Sequence, residues 1–378
     1  MEAFLARIPP YPDAFSGTGV VIAAGGIGYL TNAWVAVRML RHHGCRLPIE
    51  VWYTGPAEMP PLFPPLFARL GARCIDAHDQ AAAFAVAPLR GWAIKPHAVL
   101  ASRFRQVLLL DADNVPAVDP TFLFDTPQFR ETGAIFWPDR SESAMVGGAR
   151  LTHEHPVWAL SGLDHRGDPS FESGQVCMDK LRCWRALRLT VWMNEHSEFW
   201  YRFLYGDKDT FHVSWRKADT AWAMPVRLPD VLGGCVLSHH DFSDRVIFQH
   251  RHGDKWRLDG ANVAVPGFRN EDLCRAAIAE IRTLVLSELA LGPRDAGAES
   301  LAGRWSWSRL GHPTQILELR SDGLIGSGAS RAARLWQGEA RGLTLLGDDL
   351  GVAQRFTVVS SGPRRMGLAA DASTLCPA

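Results

Sequence analysis

Two uninterrupted apolar runs, Val20-Val21-Ile22-Ala23-Ala24 and Val107-Leu108-Leu109-Leu110, constrain the fold of this chain more than any other feature. A strand wetted on one face alternates apolar and polar residues, whereas a strand apolar at every position needs cover on both faces, as in a parallel sheet between helical layers. The segments around the runs agree. Gly25-Gly26 and an amphipathic stretch from Asn32 to His43 follow the first run, Gly44 stops the helix, and Ile49 to Tyr53 reads as the next strand. Segment 61–74 reads as a helix leading into a short strand, and Lys95 to Ser102 as a helix before the second run. Strands alternating with helices predict an α/β protein on a mostly parallel sheet.

Past Asp113 the order is less regular, with Ala134 to Trp137 as a strand, a Gly/Ser/Pro-rich stretch over 143–170 and a helix-like run from Lys180 to Tyr205. Asn270 is the expected N-cap of a helix with Glu271 and Asp272 in its first turn. Leu273, Ala277, Ile281, Leu284, Val285 and Leu289 then share its buried face. From about residue 300 the pattern changes to Trp305 and Trp307, Ile316 to Leu319, a Ser321-Asp322-Gly323 turn, Leu343 to Leu345 and Phe356 to Val358, which reads as a short β-meander of about five strands. A length of 378 residues exceeds what one core usually organises. The expected division is residues 1–295 as a catalytic α/β domain and 296–378 as a small accessory β unit.

Composition excludes some partners. With 40 basic and 40 acidic side chains the formal net charge is zero, which removes the attraction that sequence-independent nucleic-acid binding needs. Seven cysteines, widely spaced and without a Cys-x-x-Cys pair, are expected as reduced thiols of a cytoplasmic protein. The N-terminal stretch MEAFLARIPPYPDAF is not expected to be a signal peptide, and no run is expected to span a membrane; peripheral membrane association stays open. The 14 tryptophans suit either sugar-binding surfaces or a large core, and core packing is the expectation.

The sharpest chemical signal is Leu110-Asp111-Ala112-Asp113-Asn114. Alternation on an extended chain puts Asp111 and Asp113 on one side, where two anions repel unless a cation lies between them. Mn2+ or Mg2+ satisfies both, and a substrate diphosphate completes its shell. The plain alternative is a strand-end turn with aspartate caps. Further ligands are expected in Phe248-Gln249-His250-Arg251-His252-Gly253-Asp254-Lys255-Trp256, where His250 offers imidazole, Gly253 a close backbone approach and Lys255 a neutralising charge. Its alternative is a solvated polar loop. Phe171-Glu172-Ser173-Gly174-Gln175 reads as a polar turn, either ordinary or suited to sugar hydroxyls. Gly206-Asp207-Lys208-Asp209 reads as a helix start. Gly25-Gly26-Ile27-Gly28 lacks the full dinucleotide fingerprint, and strand 49–53 ends without the acid expected on a ribose, so NAD is set aside; a glycine turn at a helix start can still receive a nucleotide.

Together these segments resemble a nucleotide-sugar glycosyltransferase of the A-type fold, and most of all the fungal α-mannosyltransferase family with its bacterial relatives; the glycogenin-like family is more distant. The carriers run from about Val20 to Trp256: Tyr29-Leu30-Thr31-Asn32-Ala33-Trp34 with Leu47-Pro48-Ile49-Glu50, Lys95-Pro96, Leu110 to Asn114, Phe171 to Gln175, Gly206 to Asp209, and His250 to Trp256. The resemblance implies retaining transfer of a hexose, with a lean to mannose, from GDP-mannose or a UDP-hexose to the hydroxyl of a glycan or glycoconjugate. It implies Asp111, Asp113 and His250 as ligands of Mn2+ or Mg2+. Gly25, Gly26, Tyr29, Asn32, Lys95, Asp111 and Lys255 would bind the donor, Asp207 and Lys208 would act beside the anomeric carbon, and Glu172 with Gln175 would shape the sugar and acceptor pocket.

Two other readings fit parts of the pattern. An apolar strand followed by Asp-x-Asp-x-Val also suits an aspartyl-nucleophile phosphotransferase in which Asp111 is phosphorylated, although such a strand normally opens its domain. A non-catalytic carbohydrate-binding protein would use the Trp-rich C-terminal meander as its contact surface.

Overall fold

A computed structural model describes residues 1–84, 91–140, 151–289, 291–294, 298–309, 311–339, 342–357 and 373–377. Its first seven strands are β1 Thr18–Ala23, β2 Ile49–Tyr53, β3 Ala72–Asp76, β4 Gln106–Asp111, β5 Asn114–Pro116, β6 Ala134–Pro138 and β7 Phe171–Asp179. Six of them form one sheet in the order β3-β2-β1-β4-β7-β6. β1 to β4 run parallel, and β7 is antiparallel to both neighbours. The apolar runs are the two adjacent central strands, and their alternate residues enter separate cores: Val20, Ile22, Leu108 and Leu110 on one face, Val21, Val107 and Leu109 on the other. This mostly parallel sheet covered on both faces is the arrangement the alternation predicts.

Several expectations are corrected. The first helix spans Gly26–His42 and so starts at the glycine pair, with Gly25 extended as its N-cap, rather than at Asn32. The run from Lys180 to Tyr205 breaks at His196 into helices Lys180–Glu195 and Ser197–Trp200. Phe171 to Gln175 is not a turn: all nine residues of β7 are buried between β4 and β6. Its polar residues mislead because they find partners inside the sheet, the Gly174 amide donating to Glu172 (2.6 Å) and Asn114 donating to Gln175 Oε1 (2.5 Å), although Gln175 Nε2 is buried without a hydrogen-bond partner among the described residues. Residues 143–150 of the Gly/Ser/Pro-rich stretch lie outside the described residues, and Val157–Ser161 within it is helical.

A second sheet positions the site. Strands β8 Asp230–Leu232, β9 Val236–His240 and β10 Val246–His250 join β5 in the antiparallel order β5-β10-β9-β8. Because β5 begins one residue after Asp113 and pairs His250 with Asn114, the ladder carries β10 back to the end of β4. The Arg251 amide continues it, donating to the Asp113 carbonyl at 2.9 Å.

The helix Glu271–Glu288 packs on Gly26–His42, with Arg38 and Glu280 3.0 Å apart. Asn270 makes no side-chain cap, and the helix buries Cys274, Ala277, Ile278, Ile281 and Val285 while Leu273 is 40% exposed. The C-terminal unit is two small sheets instead of one meander. Strands β11 Gly292–Pro293, β12 Gly303–Ser308, β13 Gln315–Leu319, β14 Leu335–Glu339, β15 Gly342–Leu346, β16 Val352–Thr357 and β17 Thr374–Pro377 pair as β11-β14-β15-β16 and β13-β12-β17. Val358 and the expected boundary at 295/296 fall outside the described residues. Seven tryptophans, Trp34, Trp52, Trp137, Trp215, Trp256, Trp305 and Trp336, are core residues as expected, and all seven cysteines are free.

Candidate functional site

The carboxyl end of β4 opens the site, where crevices of open α/β sheets collect ligands. Asp111 is its last residue, and Asp113 is held in the turn to β5. Ligand atoms of Asp111, Asp113 and His250 lie within 4.8 Å of one another. His250 Nε2 stands 3.3 Å from Asp113 Oδ1 and 3.9 Å from Asp111 Oδ2. Two carboxylates and an imidazole converging from different strands are a donor set that fits a divalent ion, and the nitrogen favours Mn2+ over Mg2+. The ring's other nitrogen faces Glu172 Oε1 at 3.7 Å. Gly174 makes this possible, since a Cβ there would lie 2.6 Å from His250 Nδ1.

Lysines surround the acids. Lys95, on the helix Ile94–Ala101, is 6% exposed and lies 2.9 Å from Asp111, 3.0 Å from Asp207 and 3.1 Å from Ser173 Oγ. Burial opposes its charge, but the two carboxylates outweigh it and hold the ammonium above the usual lysine range. Lys255 pairs with Asp113, and burial lowers its ammonium. Asp207 and Lys208 open the helix Asp207–Lys217, yet neither serves simply as a cap: Asp207 faces Lys95, and Lys208 pairs with Asp139 at the end of β6.

Two cavities meet at this cluster. One is lined by Gly25, Tyr29, Trp52, Glu58, Lys95, Asp111, Asp113, Lys255 and Arg331. The other, of about 310 Å3, is lined by Trp92, Lys95, Asp111, Asp139, Glu172, Ser173, Tyr205, Asp207, Lys208, His250, His252 and Lys255. Lys95, Asp111 and Lys255 belong to both, so the two cavities converge on them. Sequence and geometry now converge. Residues 17–147 match the family described as "Mannosyltransferase putative". That stretch carries both apolar runs, Lys95 and the Asp111/Asp113 pair, and the chain is related in sequence to fungal mannosyltransferases. It is 26% identical to α-1,2-mannosyltransferase MNN5 of Saccharomyces cerevisiae (strain YJM789) over 300 residues, covering 64% of this chain and 50% of that protein. It is 30% identical to α-1,2-mannosyltransferase MNN21 of Candida albicans over 250 residues, covering 53% and 38%. The chain thus spans half or less of the length of these relatives. Among solved structures, galactosyltransferase LgtC in complex with donor and acceptor sugar analogues aligns with a TM-score of 0.37 and 17% identity over 55% of this chain and 73% of that one, too slight a likeness to bear on fold or function.

Not every expected residue lines these two cavities. Gln175 is fully buried and bonds Asn114, so it supports the turn after Asp113 and lines neither cavity. Asn32 clasps Trp256 through both its amide atoms (2.9 Å each), anchoring the loop that carries Lys255. Gly26 packs against Asp348 and lines neither of these two cavities. Several lining residues carry no signal in the sequence, among them Trp92, Asp139 and Arg331. Trp92, 52% exposed, lines both cavities and packs against Tyr205, the rings tilted by 39° with centres 5.8 Å apart. Its isolated position in a Gly-Trp dipeptide gave no signal, and Asp139 and Arg331 lie in segments with no motif at all.

Proposed function

We propose that this chain is a metal-dependent glycosyltransferase that moves a hexose, mannose by preference, from a nucleotide sugar such as GDP-mannose to a hydroxyl of a glycan acceptor with retention of configuration. The observation that carries this reading is the convergence of Asp111, Asp113 and His250 at the junction of two cavities, beside two lysines. A divalent ion there would supply electrostatic stabilisation of the departing diphosphate. Lys95 and Lys255 hold positive charge around the same point without any proton transfer. Glu172 places a carboxylate opposite the other nitrogen of the His250 ring. Asp207 lines the second, acceptor cavity beside Lys95, where it would face the reacting carbon of a donor held in the first and would be the available nucleophile if the reaction passes through a covalent glycosyl intermediate. Otherwise the acceptor hydroxyl attacks the same face and the leaving phosphate oxygen takes its proton. Trp92 and Tyr205 give an aromatic floor for a sugar ring.

The decisive measurement is calorimetric titration of GDP and UDP into the full chain with Mn2+ and again in EDTA. Binding is expected only with metal, followed by mannose transfer whose product anomer, read by NMR, matches the donor's. Equal affinity in EDTA overturns the proposal.

A further inference from the structure

The C-terminal β unit contributes one residue, Arg331, to the wall of the proposed donor cavity. Arg331, in the segment between β13 and β14, lines that cavity with Tyr29, Glu58 and Lys255. Its guanidinium and the Lys255 ammonium each stand 5.7 Å from the centre of the Tyr29 ring. The segment is not loosely placed. The Asp348 amide donates to the Arg331 carbonyl at 2.8 Å, and the Asp348 carbonyl accepts from the Ile27 amide at 3.0 Å, at the start of the helix Gly26–His42. Arg334 Nε donates to the Asp348 carboxylate at 2.7 Å. Gly26, at φ +73°, permits this docking, because a Cβ there would lie 3.2 Å from Asp348.

Two consequences follow for an anionic ligand. The helix start that a glycine turn offers to a phosphate is already occupied by Asp348, both through its carbonyl on Ile27 and through a carboxylate 3.2 Å from the position of a Gly26 Cβ. The diphosphate must therefore find its positive charge elsewhere. Of the three cations lining the donor cavity, Lys95 is paired with Asp111 and Asp207, and Lys255 with Asp113. Among the described residues no acid pairs with Arg331, which leaves it as the cation whose charge is not committed within the protein. A planar guanidinium also suits the forked geometry of phosphate oxygens better than an ammonium does.

We propose that the C-terminal β unit completes the donor site, with Arg331 binding the diphosphate of a nucleotide from the open side of Tyr29. This rests on the glycosyltransferase reading for its ligand class and assigns a role to the unit that the motifs of the first 256 residues do not touch. The test uses the full chain and the variants Arg331→Ala and Arg331→Lys. GDP, UDP and GMP are titrated calorimetrically in Mn2+, and Mn2+ binding without nucleotide is followed by electron paramagnetic resonance. Arg331→Ala is expected to weaken the better-bound diphosphate by about tenfold or more, the scale of one charge-assisted contact. Arg331→Lys recovers part of that loss, GMP affinity falls less than GDP affinity, and Mn2+ binding is unchanged. A diphosphate affinity within twofold of the parent's overturns this inference alone, as does an equal loss for GMP and GDP. A parent chain that binds no nucleoside diphosphate in Mn2+ overturns it together with the proposed function.

Discussion

Lys95 is the residue on which the site's charge balance turns. It lies between Asp111 and Asp207, within 3.0 Å of each, and is almost wholly buried. Removing it leaves the buried Asp207 carboxylate and the half-buried Asp111 carboxylate without their shared cation, and takes a positive charge from the point where the proposed leaving group would sit. Lys95→Ala is expected to lower kcat by about 100-fold or more and to destabilise the fold by about 3–5 kcal/mol; steady-state kinetics and thermal unfolding read the two effects. Trp92 makes a contrast, since its ring is half exposed and packs on Tyr205. Trp92→Ala should raise the acceptor KM about tenfold while changing Tm little, the stacking of one ring being lost; an unchanged KM removes the aromatic floor from the proposed function. These two residues also show what could be read in advance. Asp111 and Asp113 declare themselves because their spacing creates the repulsion that a cation must relieve. His250 is legible as a candidate from the polar cluster around it, with a solvated loop as the alternative, whereas Lys95 enters only through a resemblance, since nothing local marks a lysine on an apolar helix as part of a site. Trp92, Asp139 and Arg331 depend wholly on what the fold brings opposite them.

At the scale of elements, the apolar strands were legible because burial on both faces leaves an unmistakable run, whereas β7 was not, because its polar residues find partners in β5, its own backbone and Lys95. The helix Lys180–Glu195 that follows β7 contains a second buried lysine. Lys180 is fully buried, donates to the Leu100 and Ser102 carbonyls at 3.2 and 2.7 Å, and lies 3.4 Å above the Phe15 ring. Burial pulls its ammonium down to about 6. In the unfolded chain a lysine titrates near about 10.4, so between these values the unfolded state binds the additional proton and stability rises with pH, reaching its full value above the unfolded pKa. Lys180→Met removes that linkage. The parent's Tm, corrected for other groups by comparison with the variant, should climb more steeply between pH 6 and 9 than the variant's; parallel curves would show that the lysine stays charged in the fold.

Across the whole molecule, the question is whether the C-terminal unit is an appendage or part of the catalytic body. It has a core of its own, built on Trp305, Trp307, Leu317, Trp336, Leu345 and Phe356. Yet Leu324, Leu335 and Leu346 from the same unit pack in the core that holds Val20, Trp34 and Ile281. Polar contacts cross as well: Arg257 donates to the Gly326 carbonyl at 3.0 Å, and Arg320 donates to the Asp259 carbonyl at 3.3 Å. A shared core couples the unfolding of the two parts, because neither can open without exposing apolar surface of the other. Scanning calorimetry of the full chain is therefore expected to show one transition with matching calorimetric and van't Hoff enthalpies. Trp336, whose indole donates to the Arg320 carbonyl at 2.8 Å, offers the sharper version of the test. Trp336→Ala should cost about 3–5 kcal/mol and lower the single transition as a whole. If it instead splits off an early transition while the remainder melts at the parent's temperature, the unit folds independently, and the donor cavity must then tolerate a wall that comes and goes.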